Sequence, residues 1–138
     1  MTVEIALAAL VRDRTLLLGH RHPARRRYPD CWDLVGGHVE DGESPEQAVR
    51  RECREEIAVE LSQLQRVDLA LTDPGLVAHA FVVTGWVGSP RNVAPDEQDA
   101  LGWFGAGDLP GLRLAHPVYR TWLPAVLAAS TDRARRLP

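Results

Sequence analysis

Lysine is absent from this 138-residue chain, so its sixteen basic side chains other than histidine are all arginine. Either a functional choice or codon bias in a GC-rich genome, the simpler cause, produces such a composition, so no single arginine counts as evidence by its presence alone. Long apolar runs are absent too. None approaches the ~18 residues that a membrane-spanning helix needs, so no membrane role is expected. Cysteine is scarce. Cys31 and Cys53 stand alone, without metal-type spacing, and read as reduced thiols of a reducing compartment. Charge of one sign is also lacking: the formal net charge is −3, which argues against a nucleic-acid binder. The first residues have a strand-like pattern and not the basic-then-apolar layout of a signal peptide, so the expected location is the cytoplasm. There is no repeat, low-complexity stretch or linker. Residues 1–130 are expected to form one domain and residues 131–138, with Arg133, Arg135 and Arg136, a flexible tail.

What is present is a soluble-domain balance of 45% hydrophobic and 25% charged residues, enough for a core at this length. Residues 3–11 read as a largely buried strand. Thr15 to Gly19 read as a second that pairs back after the turn Arg12-Asp13-Arg14. A basic loop follows from His20 to Asp30. Trp32 to Val35 form a short strand that leads into Gly36-Gly37. The clearest helix spans Ser44 to Val59: Ser44 is an N-cap, Pro45 suits the first turn, and Gln47 completes a capping box. Its core-facing stripe is Val49, Cys53 and Ile57. Residues 66–72 and 76–87 read as strands joined by a turn at Asp73-Pro74-Gly75, and Leu101 to Phe104 as another. A last helix is expected from about Pro117 to Ala129. Strands that alternate with two well-separated helices favour a mixed α/β sandwich.

The chemistry lies on the first helix. At 100° per residue, Glu52, Glu55 and Glu56 share about a third of its circumference. Like charges at such spacing repel by roughly 0.2–0.5 kcal/mol per pair, so the arc asks for a counter-ion. Arg51 neutralises one charge and a divalent cation would neutralise the rest. An all-oxygen donor set selects a hard cation, Mg²⁺ first and Mn²⁺ second. Gly36-Gly37 would let backbone approach such a site closely. Taken alone, the acidic stretch is also compatible with an ordinary solvated helix face.

The spacing upstream changes that balance. Residues 37–59 resemble the Nudix box, G-x5-E-x7-R-E-U-x-E-E-x-G-U, where U is aliphatic. Gly37, Glu43, Arg51, Glu52, Glu55 and Glu56 match in place, and Val59 fills the last aliphatic slot. Six identities at fixed spacing arise by chance about once in 10⁷ start points. Two positions depart from the pattern. Cys53 stands in an aliphatic slot, and Ala58 stands where the box has a glycine. Alanine at positive φ is strained by roughly 1 kcal/mol, so a different helix ending is expected.

The resemblance implies a Nudix-type α/β/α sandwich with a mixed central sheet, and a Mg²⁺-dependent hydrolase, with Mn²⁺ as substitute. It would cleave a diphosphate linkage in a nucleotide: most simply it would convert a nucleoside triphosphate, an oxidised nucleotide included, to monophosphate and pyrophosphate. The resemblance also implies site roles. Glu52, Glu55 and Glu56 would gather metal, with Glu56 and the Gly36 carbonyl as direct ligands and Glu52 as the group that positions or deprotonates water. Arg51 would pair with Glu43 as a brace, or form a plain surface pair with Glu55. Glu97, six residues before Trp103, would join the metal or act as base, or lie in an ordinary acidic loop.

Arg21, Arg25, Arg26 and Arg27 sit on the loop before the glycines, where guanidinium groups suit phosphate. Arg21, Arg25 and Arg27 are the candidates for substrate contact, with Arg21 foremost; His20 and His22 would assist. Gly37 would let substrate approach the backbone. Trp32 would stack on a base or pack beneath the loop, and His79 with Phe81 would line a base site or one sheet face. Trp86, Trp103 and Trp122 read as core or interface anchors, which leaves a homodimer open. Pro74, fifteen residues after the box, has the spacing associated with ADP-ribose hydrolysis, or is a plain turn. Two rival readings remain: a nucleotide-sensing Nudix module without catalysis, and an isoprenoid diphosphate isomerase, whose reactive cysteine neither Cys31 nor Cys53 matches in context.

Overall fold

A computed structural model of the chain describes the backbone of residues 2–136 and the side chains of residues 2–130. Seven strands form one mixed sheet: β1 (Val3–Arg12), β2 (Thr15–Arg21), β3 (Trp32–Asp33), β4 (Val35–His38), β5 (Glu60–Val67), β6 (Leu76–Val87) and β7 (Gln98–Phe104). Two helices accompany them, α1 (Pro45–Ile57) and α2 (Tyr119–Arg136).

β1 organises the sheet. It pairs in parallel with β6 from Val3↔Leu76 to Leu10↔Val83. On its other side it pairs antiparallel with β4 over its first half and with β2 at its end. Its side chains alternate between two cores, as a strand buried on both faces requires. Ala6, Ala8 and Leu10 pack with Val49, Cys53 and Ile57 of α1. Ile5, Leu7 and Ala9 pack with Tyr119, Leu123, Val126 and Leu127 of α2. One helix therefore covers each face, which is the α/β/α sandwich.

α1 starts as its sequence dictates. The Gln47 N–H donates to Ser44 Oγ at 3.1 Å, and the Ser44 N–H donates to Gln47 Oε1 at 2.8 Å. Its ending corrects the expectation for Ala58, which does adopt the left-handed conformation (φ 60°, ψ 39°) that a glycine would take there. The Ala58 N–H donates to the Arg54 carbonyl at 3.2 Å. The burial of Ile57 and Val59 on either side holds the turn in spite of the strain.

Four further boundaries differ from expectation. The strand expected at 66–72 lies at Glu60–Val67. It is a sheet edge that among the described residues pairs only with β6, so most of its side chains stay exposed and its apolar signal is weak. The single strand expected over Trp32 to Val35 is two, because Trp32–Asp33 pairs with β2 while Val35–His38 pairs with β1. β7 begins at Gln98, ahead of Leu101. α2 is traced through Arg136, past Ala129; the side chains from 131 onward and residues 137–138 lie outside the described residues, and with them the expectation of a flexible tail. Both cysteines are free and buried. Among the described residues no helix is long and apolar enough to cross a membrane.

Candidate active site

The site forms where α1 lies against the glycine pair of β4. Glu56 faces inward from the helix and is only 6% exposed. The Gly36 N–H donates to its Oε2 at 3.1 Å, and the Glu97 carboxyl is its side-chain hydrogen-bond partner. Burial pushes the Glu56 carboxyl well above the ordinary range, and the proximity of Glu97 and Glu52 raises it further. Glu52 lies against Gly37 so closely that a Cβ added there would stand 2.6 Å from its Oε1. Glycine at 37 is thus what makes room for the carboxylate. Gly36 is equally constrained, since a Cβ there would strike the Ala6 carbonyl across the β1–β4 pairing.

Arg51 ties this cluster to the loop before the helix. Its Nε donates to Glu43 Oε2 at 2.8 Å and its Nη2 to Glu43 Oε1 at 3.0 Å, a two-pronged pairing. Nη2 also donates to the His38 carbonyl at 3.0 Å. Nη1 donates to Glu52 at 2.9 Å and to Glu55 at 3.1 Å. The brace to Glu43 and the pair with Glu55 therefore coexist. Glu43, held by this guanidinium, has its carboxyl lowered to about 2. The Glu52 carboxyl is raised, because burial outweighs the attraction of Arg51.

Glu52, Glu55, Glu56 and Glu97 are gathered but not closed into a cage. Among the described residues, no group of three His, Cys, Asp or Glu side chains has metal-holding geometry. Glu55 is 59% exposed and turns to Arg51, as does Glu52. The donor set still fits a hard divalent cation: every candidate is an oxygen, and the buried carboxyl of Glu56 is crowded by two others that a cation would relieve.

On the α2 side of the same glycines opens a cleft. Gly36 and Gly37 line it, while Glu56 and Glu52 lie against these two residues from the helix. Its walls include Arg21, Arg25 and Arg27, as expected of the basic loop, and also Tyr28, Asp33 and His116, which sequence reasoning did not single out. Asp33 is buried and accepts from the Tyr119 hydroxyl at 2.6 Å and from the Leu34 N–H at 2.8 Å. His116 is buried, its ring 4.7 Å from that of Tyr28, and burial lowers its pKa, which favours the neutral imidazole. The Tyr28 hydroxyl bonds to Asp73, and the Tyr28 pKa is pushed up to about 12 by burial and that carboxylate.

Two expected contacts lie elsewhere. His79 does not reach the cleft: it pairs with Ala6 and shares the α1 face with Phe81, whereas Ile5 and Leu7 of the opposite face line the cleft. It is bonded there to Glu4 at 2.8 Å and to Arg66. Trp32 packs in the α2-side core, with its ring 5.0 Å from His20 and 4.8 Å from Phe104, and is not among the cleft residues. Neither cysteine enters the site. Cys53 is in the α1 core, and Cys31 is in the other core, with its thiol donating to the Tyr28 carbonyl.

The NUDIX domain model matches residues 2–126. The chain is 30% identical over 137 residues to the CTP pyrophosphohydrolase of Escherichia coli (strain K12), covering 97% of this chain and 96% of that one. It is 35% identical over 131 residues to the isopentenyl-diphosphate Delta-isomerase of Citrobacter koseri, covering 88% of this chain and 71% of the relative. Among solved structures, the MutT NUDIX hydrolase from Burkholderia pseudomallei superposes with a TM-score of 0.69 at 37% identity, over 80% of this chain and 88% of that one. With its box acids gathered at the glycine pair and the family model spanning nearly its whole length, this chain belongs to the NUDIX family of hydrolases.

Proposed function

We propose that the protein is a Mg²⁺-dependent nucleotide pyrophosphohydrolase that converts a nucleoside triphosphate to its monophosphate and pyrophosphate. The observation that carries this reading is the position of the glycine pair between a cluster of carboxylates and a cleft lined by arginines. Glu52, Glu55, Glu56, Glu97 and the Gly36 carbonyl would hold the cation. When bound, the cation neutralises phosphate charge and lowers the pKa of a coordinated water.

The chain's own groups supply the rest. Arg25 and Arg27 draw the phosphate chain into the cleft; Arg27 is exposed, and its ion-pair partner among the described residues is Asp73 at 3.8 Å. Gly37, without a side chain, lets the phosphates come close to the backbone. Glu52, with its carboxyl raised by burial, takes a proton from the attacking water as the new P–O bond forms and the bridging P–O bond breaks. Arg51 holds Glu52 in place and is itself fixed by Glu43. The nucleoside lies between the Tyr28 and His116 side and the apolar floor of Ile5, Leu7 and Leu34. Similarity to a CTP pyrophosphohydrolase supports the substrate class.

One observation favours a second reading, cleavage of ADP-ribose. The turn that holds Pro74 abuts the cleft rim, because Asp73 bonds Tyr28 and pairs with Arg27. Isomerisation of isopentenyl diphosphate, the activity in the name of the relative from Citrobacter koseri, is disfavoured here because both thiols lie in the cores and neither enters the cleft.

The test is turnover by purified protein with Mg²⁺, with and without chelator, on the common nucleoside triphosphates, 8-oxo-dGTP, ADP-ribose and a nucleotide sugar. Monophosphate and pyrophosphate from one triphosphate are expected. AMP and ribose phosphate from ADP-ribose would favour the second reading. No chelator-sensitive turnover on the whole panel would refute both.

A further inference from the structure

Arg21 is the arginine that the sequence puts nearest the substrate, yet its donors face its own loop. Nε donates to the Tyr28 carbonyl at 2.8 Å and Nη2 to the Arg27 carbonyl at 2.7 Å. Nη1 lies 3.6 Å from Asp33 Oδ2. The loop wraps around this guanidinium. Its neck is closed by the Arg21 N–H to the Cys31 carbonyl at 2.8 Å and by the Asp30 N–H to the Arg21 carbonyl at 3.1 Å. Tyr28 and Asp30 sit at φ 50° and 55°, left-handed conformations that cost a side-chain-bearing residue energy and persist only when surrounding contacts hold them. The Arg21 guanidinium holds Tyr28 by its carbonyl and the preceding residue by the Arg27 carbonyl, while Asp30 is held by its own N–H to the Arg21 carbonyl. The Arg25 guanidinium, by contrast, has no hydrogen-bond or ion-pair partner among the described residues, and Arg27 has only Asp73 at 3.8 Å.

We propose that Arg21 is a positioning residue: its guanidinium is the internal strut of the 22–30 loop, which presents Arg25 and Arg27 to the cleft, and it does not itself bind the phosphates. The inference rests on the reading of the cleft as a nucleotide site, but its structural half can be tested without substrate. A planar fork can serve two carbonyls and a carboxylate at once, whereas an ammonium on a shorter reach cannot. Arg21→Lys therefore keeps the charge and loses the strut.

Two readouts on Arg21→Lys, Arg21→Gln and Arg21→Met decide it, with folding checked by thermal melting. First, trypsin nicking after Arg25, Arg26 and Arg27 in the substrate-free protein should be about tenfold faster in all three variants, because the loop opens more often. Second, KM for the preferred nucleotide should rise by about tenfold, with kcat within about threefold, in the lysine variant as much as in the methionine one. A lysine variant with near-normal KM beside a methionine variant with raised KM would mean that Arg21 contacts phosphate directly, and would overturn the proposal. Unchanged nicking would overturn it as well, whatever the enzyme's substrate proves to be.

Discussion

Replacing Glu56 by glutamine should move activity and stability in opposite directions. The side chain is 6% exposed and bonded to the Gly36 N–H and to Glu97. Glutamine has the same shape and can still accept from Gly36, so the fold should survive. As an amide it brings no negative charge to a cation, so turnover should fall at least about 100-fold, the upper range for disturbing even an outer partner of a metal ligand. In the metal-free protein the effect on stability reverses. Because folding raises the Glu56 carboxyl above its unfolded value, its contribution is fully present below the unfolded pKa of about 4.3 and is lost as pH rises through the folded one. The amide does not titrate. The difference in Tm between variant and wild type, measured with chelator by thermal unfolding, should thus grow in favour of the variant from pH 5 to pH 8. Magnesium at 100 times its dissociation constant should stabilise the wild type by about 2.7 kcal/mol, roughly 10 °C in Tm, and leave the variant unmoved. A variant that keeps normal turnover, or that gains as much from Mg²⁺ as the wild type, would refute the reasoning.

Three other changes probe neighbouring parts. Ala58→Gly relieves the left-handed C-cap and should stabilise the protein by about 1 kcal/mol with kcat unchanged, read by denaturant unfolding; a loss of stability would show that Ala58 is not strained. Gly37→Ala puts a methyl against Glu52, 2.6 Å from Oε1, so it should cost most of kcat while the circular dichroism spectrum stays native. Glu43 is held at about 2 by Arg51, so its contribution to stability is present above its unfolded pKa near 4.3 and is lost as pH falls toward 2. Glu43→Gln should flatten the Tm against pH curve across that window, and an unaltered curve would remove the brace.

Much of this was legible in the sequence where a pattern is local and periodic. The α1 stripe of Val49, Cys53 and Ile57, the Ser44–Gln47 capping box and the spacing of the box acids all translate directly into helix geometry. β5 was not legible, because an edge strand with Ser62, Gln63, Gln65 and Arg66 carries no alternating apolar signal. For His79 the sequence left a base site and a plain sheet face both open, because a period of two gives alternation without saying which face meets the cleft; that depends on its register with Ala6. His116 is far along the chain from Tyr28 and Asp33, and only the folded chain brings it to their cleft. Arg21 illustrates the same limit for a charge: composition shows a guanidinium near the glycines, while the backbone carbonyls that occupy it appear only when the loop is folded.

The most direct test of the central claim, that the gathered carboxylates serve a divalent cation in diphosphate hydrolysis, is a Mg²⁺ titration of turnover on a nucleoside triphosphate, with product identity followed by chromatography. The account predicts no turnover in chelator, saturable recovery with Mg²⁺, and monophosphate and pyrophosphate in equal amounts, all abolished by Glu56→Gln. Hydrolysis that persists without a divalent cation, or that Glu56→Gln leaves intact, would contradict it.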